Sequence, residues 1–137
     1  MNIVYYDLET TGTNINFDRA IEIAAYRENT NTYYHKLINT DYPINPKASE
    51  VNGITYGMIK NKKYFKDIIE DFEDFMLSND ITYLISHNNY NFDSYILKCE
   101  YKRANREFPK NIIFIDTLPM ARYLYPHLEN HKLGTLM

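Results

Sequence analysis

Ile3-Val4-Tyr5-Tyr6-Asp7-Leu8-Glu9-Thr10-Thr11-Gly12 opens as an apolar, aromatic run and closes in two carboxylates and a turn. Side chains alternate faces along a strand, so Asp7 and Glu9 leave it on the same side. Two neighbouring anions repel, and a divalent cation held by oxygen ligands would relieve them. Thr10, Thr11 and Gly12 end the strand and let the backbone approach a ligand closely. An Asp-x-Glu triplet alone is a weak signal. Its place at the end of an apolar strand, ahead of Thr-Thr-Gly, gives it weight.

Outward from that strand, residues 20–27 read as a second strand and 31–38 as a third, reached by a tight Glu28-Asn29-Thr30 turn. The three form an antiparallel meander. Pro43 and Pro46 mark a loop, and residues 47–52 suit a short helix closed by Gly53. Residues 64–77 are the clearest helix, with Phe65, Ile68, Ile69, Phe72, Phe75 and Met76 at three- and four-residue spacing. Asp67, Glu70, Asp71 and Asp74 fall mainly on its other side and read as a solvated face. Residues 81–86 form a short, nearly all-apolar strand, as in the interior of a sheet. A helix over about 92–104, a fifth strand at 112–115 and a helix capped by Asp116 follow, and a last helix begins near Asn130. This order implies an α/β domain with a mixed five-stranded sheet, antiparallel strands first and parallel crossovers after, flanked by helices.

The bulk numbers agree. The chain's 137 residues suit one domain, and 45% hydrophobic with 24% charged residues suits a folded one. A net charge of -3 excludes a generally basic nucleic-acid binder, so a bound polyanion must be held by metals or local basic groups. No stretch approaches the roughly 20 apolar residues that span a bilayer, and the N-terminus lacks a signal peptide's basic start. A lone cysteine, Cys99, suits a reducing compartment such as the cytoplasm. Abundant Asn, Tyr, Ile and Lys, with no Trp, suit a low-GC bacterial or viral source.

A second acidic position lies in His87-Asn88-Asn89-Tyr90-Asn91-Phe92-Asp93, just after the fourth strand. Asp93 falls in the first turn of the next helix, where its charge is favourable. Ligands gather at the carboxyl ends of parallel strands, so neighbouring strands one and four would bring Asp93 towards Asp7 and Glu9. The plainer alternatives are a helix-start acid at Asp93, and His87 and Asn88 holding the loop.

Asp7-Leu8-Glu9-Thr10-Thr11-Gly12 resembles the first motif of the DEDD (DnaQ-like) 3′→5′ exonucleases, which share the ribonuclease H-like fold. Residues 48–55 resemble that family's segment ending in His-Gly-Ile-Thr, with Asn52 in place of the His. His87-Asn88 with Phe92-Asp93 resembles the second motif, and Asp116-Thr117-Leu118 with Ala121-Arg122, Pro126 and Leu133 the approach to the last. The likeness covers essentially the whole chain. It implies two Mg²⁺ or Mn²⁺ ions among Asp7, Glu9 and Asp93, and a substrate that is the single-stranded 3′ end of DNA or RNA. Leu8, Thr10, Thr11, Gly12, Ile54, Thr55, His87 and Asn88 would contact that substrate, with Ile54 and Thr55 against the terminal base.

One departure is serious. The family's last motif, a His followed by an Asp on a C-terminal helix, has no counterpart here, and no Asp follows His127 or His131. A fragment of a longer exonuclease, or a relative with impaired activity, is therefore expected. An apolar sheet face should then be exposed, or covered by a protein partner or a second copy. The rival reading is a non-catalytic nucleic-acid- or partner-binding remnant, and a plain structural domain with solvated carboxylates is a third.

Overall fold

The computed structural model describes residues 1–87 and 92–132. The strands are β1 (Asn2–Thr10), β2 (Ala20–Arg27), β3 (Thr32–Leu37), β4 (Thr82–Ser86) and β5 (Ile112–Asp116). The helices are α1 (Pro46–Asn52), α2 (Tyr56–Ile59), α3 (Phe65–Met76), α4 (Phe92–Arg103) and α5 (Thr117–Leu124). The sheet order is β3-β2-β1-β4-β5. β1 pairs antiparallel with β2, and β2 with β3. β1 pairs parallel with β4, and β4 with β5. This is the mixed sheet that the order of elements implies.

Alternation along β1 divides the molecule. Val4, Tyr6 and Leu8 join Ile23, Ala25 and Leu84 on one sheet face. Phe65, Ile68, Ile69, Phe72 and Met76 of α3 and Ile96, Leu97 and Tyr101 of α4 pack against them. Burying each such side chain is worth about 1.5–3 kcal/mol, so this two-layer contact is the main source of stability. Asp7 and Glu9 belong to the opposite face. That face is thinly covered, with Tyr5 and Ile113 each 43% exposed. The acids Asp67, Glu70, Asp71 and Asp74 of α3 are all exposed, so they serve as its solvated side.

Two local expectations need correction. Pro46 does not belong to a loop but opens α1 as its first residue, with Asn45 as the cap: the Lys47 amide donates to Asn45 Oδ1 at 2.9 Å. Proline is tolerated there because the first-turn amide has no intrahelical acceptor to lose. The last helix does not begin at Asn130. Residues 130–132 are non-helical, and the expected continuation at 133–137 lies outside the described residues. Elsewhere the punctuation is as expected. Gly53 closes α1 with φ 73°, and Asp116 caps α5 by accepting from the Leu118 amide at 2.9 Å. No described helix is long and apolar enough to cross a membrane.

Candidate active site

β1 outruns its parallel neighbour. The β1–β4 register stops at Tyr5 opposite Ile85, whereas β1 continues to Thr10. Beyond Tyr5 the amides on that side of β1 lose their ladder partners, and a buried amide must find another acceptor. The chain after β4 returns as α4 and supplies one. Asp93, 3% exposed, accepts from the Leu8 amide at 3.2 Å. The carboxylate at the start of α4 thus lands between the two acidic positions of β1.

The electrostatics follow from crowding. Burial pushes the Asp7 carboxyl above its ordinary value. A side-chain hydrogen bond with Asp93 and the Leu8 amide oppose the rise, and the Glu22 charge adds to it. Glu9 is raised by burial first, then by Asp7 and Glu22. Glu22 stands directly across from Glu9 in the β1–β2 register, and His35 lies 2.7 Å from its carboxyl. The Tyr6 hydroxyl is also pushed up, chiefly by burial, beside Ser86 and with Asp93, Asp116 and Asp7 nearby. A phenol that stays neutral here adds no further anion.

The donor set suits a hard divalent cation: carboxylate oxygens from β1 and α4 at one end of the sheet, with Asp7 and Glu9 raised chiefly by burial. Among the described residues, however, no three His, Cys, Asp or Glu side chains stand close enough together to hold an ion. Asp93 is turned onto the Leu8 amide at 3.2 Å.

The other expected site residues sort into two groups. Thr11 is fully buried, and its hydroxyl donates to Asp18 at 2.7 Å and accepts from the Arg19 amide at 2.9 Å. The Thr10 hydroxyl donates to the Gly12 carbonyl at 2.6 Å. The Leu8 side chain is buried and its amide is taken by Asp93. These residues shape the end of β1 from within. Gly12 is required by space, since a Cβ there would lie 2.6 Å from Asp18 Oδ2. Ile54, expected against the terminal base, is 3% exposed and packs with Ile21 and Ile59. Thr55, beside it, is exposed and free to make that contact. His87 is tied on both ring nitrogens, with Nδ1 2.7 Å from Thr117 Oγ1 and Nε2 donating to the His131 carbonyl at 2.6 Å. That pins β4 to the segment after α5. Asn88 lies outside the described residues.

A cleft of about 1080 Å³ opens over Asp7 and Glu9, walled by Val51, His87, Leu118, Arg122 and Lys132. Sequence reading did not single out Arg122 or Lys132 as site residues. Arg122, in the last turn of α5, and Lys132 and Glu129, in the segment after it, come beside the carboxylates only in the closed fold.

The exonuclease family model matches residues 4–137. This chain is a DEDD exonuclease-family domain. The domain is 34% identical over 137 residues to the DNA polymerase III PolC-type of Streptococcus pneumoniae, which covers 97% of the chain. It spans only 9% of that polymerase's length. Among solved structures, apo Exonuclease I superposes with a TM-score of 0.78 at 21% identity, over 92% of this chain and 32% of that one. The zinc-bound form of the E. coli ExoI–ssDNA complex superposes with a TM-score of 0.76 at 20% identity, over 90% of this chain and 29% of that one. At these identities the likeness establishes the fold, which is ribonuclease H-like.

Proposed function

We propose that the domain is a metal-dependent 3′→5′ exonuclease that releases nucleoside monophosphates from a single-stranded 3′ end. The observation that carries this is the Asp93–Leu8 contact, which joins residues 85 apart in sequence at the point where Asp7 and Glu9 emerge. The relationship to replicative polymerases, and the single-stranded DNA and zinc in the Exonuclease I complex, support a nucleic-acid substrate and a divalent ion. The whole chain is read as one exonuclease-like unit working in the cytoplasm.

Asp7, Glu9 and Asp93 would hold the ions. Bound Mg²⁺ or Mn²⁺ lowers the pKa of water and stabilises the leaving oxygen of an in-line displacement. The protein's share is positional. Asp7 and Asp93, from β1 and α4, would supply carboxylate oxygens to a bound ion. Arg122 and Lys132 border the same cleft and offer positive charge to the phosphodiester. Thr55, exposed at the start of α2, packs against the terminal base. His87 holds the cleft wall in place through Thr117 and the His131 carbonyl.

The test is mononucleotide release from a single-stranded oligonucleotide labelled near its 5′ end, with Mn²⁺. A ladder of one-nucleotide shortening that Asp7→Asn abolishes is the expected result. Binding without shortening in the wild type points instead to a non-catalytic strand-binding domain.

A further inference from the structure

A second groove lies beyond the carboxylate cleft. We propose that it carries the upstream, 5′-ward part of the bound single strand, an inference that rests on the exonuclease reading. The groove has two halves that share one wall, residues 40–43. One half, about 780 Å³, is bordered by Ser49, Thr55 and Tyr56. The other, about 710 Å³, is bordered by Arg19, Tyr64, Lys66 and Arg103. Two compartments that share lining residues offer room for more than one nucleotide.

The groove is fastened to the end of β1. The Thr11 amide donates to the Arg19 carbonyl at 2.9 Å, and the Asn45 amide donates to the Thr11 carbonyl at 2.8 Å. Arg19 of the groove wall, and Asn45 between the wall residues Ile44 and Pro46, are therefore both hydrogen-bonded to the turn that follows Glu9. Thr55 belongs to the first compartment, so a strand whose last base rests there continues into the rest.

Its chemistry suits a single strand. Arg19, Lys66 and Arg103 supply three cations on a chain whose overall charge is -3. Glu100 is paired to Arg103 Nη1 at 2.8 Å, so those two charges offset each other, and the other acids on the walls are Asp41 and, in the first half, Glu50. Tyr42, Tyr56 and Tyr64 also line the walls. The Arg19 guanidinium carbon lies 4.5 Å from the Tyr42 ring centre, and Lys66 Nζ 5.9 Å from that of Tyr64. Tyr56 is 60% exposed. Phosphates meet the cations, and bases stack on the rings and on the guanidinium plane. Stacking is indifferent to sequence, as a processing nuclease needs.

The test is binding in EDTA, which needs no catalysis. Fluorescence anisotropy compares a dinucleotide with oligothymidylate and oligouridylate of roughly 12 nucleotides, within the span such grooves cover. The wild type is expected to bind the longer strands at least about fivefold more tightly, the yield of one stacked base. Arg19→Gln combined with Lys66→Gln should remove most of that gain and flatten the salt dependence by a slope of about 1.4, or 0.7 per lost phosphate contact. Thermal melting of the same samples confirms that the variant is folded, and Lys110→Gln controls for a lost charge elsewhere. A length gain that persists in the folded double variant, or is absent from the wild type, overturns the proposal. A length gain that depends on these cations, in a protein that releases no nucleotide with Mn²⁺, sinks the exonuclease reading and leaves the strand path standing.

Discussion

Asp93 Oδ2 lies 3.2 Å from the Leu8 amide nitrogen, between the positions of Asp7 and Glu9 on β1. The contact exists because β1 is longer than β4. Pairing with β4 ends at Tyr5, and the chain that leaves β4 must turn back through α4. The first turn of that helix then faces a strand edge with amides to satisfy. A carboxylate there satisfies the edge, gains from the helix dipole, and places charge beside the other acids. Fold and site are the same geometric event.

Asp93→Asn isolates the charge from the contact. The amide oxygen can still accept from Leu8, so thermal stability without metal should change by no more than about 1 kcal/mol. The response to divalent ions should disappear. For the wild type, Mn²⁺ at a hundred times its dissociation constant raises stability by about 2.7 kcal/mol. Nucleotide release should fall by on the order of 10²–10³-fold, the scale seen when one preorganised electrostatic partner is removed. Melting with and without Mn²⁺ reads the first effect and product release the second. An undiminished Mn²⁺ shift in the variant would place the ion elsewhere.

Stability without metal should depend on pH in a definite direction. Asp7, Glu9 and Glu100 are all raised in the folded state, each chiefly by burial. Below the ordinary carboxylate values, near 4, both states are protonated and the groups contribute nothing. Just above them the unfolded chain has released these protons and the folded chain has not. Stability therefore falls as pH rises through that window, and the full cost persists above the folded values. Melting in EDTA from about pH 4 to pH 7 should show the decline, and Asp7→Asn should make it shallower. A wild-type curve that climbs across this range contradicts the assignment.

Much of this was legible in the chain, and the remainder shows what pattern alone lacks. Period-two alternation put Asp7 and Glu9 on one face, and period 3.6 found α3 with its buried and acidic sides. Gly53 and Asp116 marked helix ends because their chemistry is local. α2 went unseen, since four residues, Tyr56–Ile59, are too few to show a period. Glu22 could not be placed opposite Glu9 without knowing the register. Ile54 packs with Ile21 and Ile59, and the Thr11 hydroxyl bonds to Asp18, and neither pairing is announced by local pattern. Those partners are distant neighbours or loop residues, and only the closed fold reveals them.

Gly12→Ala tests the turn. Its new methyl group would sit 2.6 Å from Asp18 Oδ2 and 2.9 Å from Cγ. Asp18 cannot move aside freely, because it accepts from the Thr11 hydroxyl and from the Asn14 amide, both at 2.7 Å. A loss of about 1–3 kcal/mol is expected, the usual cost of overpacking a fixed neighbour. Urea denaturation gives the number. If the turn shifts instead, activity falls further than stability does, since Arg19 and Asn45 are hydrogen-bonded to the adjoining Thr11.

Tyr34→Phe should do the opposite and stabilise the domain. The Tyr34 ring packs between Phe72 and Phe75, at 5.6 and 5.4 Å between centroids. Its hydroxyl is buried with no hydrogen-bond partner among the described residues. Burial, with the Asp71 charge adding to it, pushes the phenol up to about 12, so it stays neutral throughout the working range. Phenylalanine keeps the ring contacts and removes the unpaired oxygen. A buried hydroxyl without a partner costs about 1–3 kcal/mol, and a gain of about 1 kcal/mol is expected after allowing for relaxation. The gain should appear as a higher denaturation midpoint at unchanged slope. A drop in the midpoint would mean that this oxygen is hydrogen-bonded in solution, and that water or a neighbouring side chain reaches the space under β3.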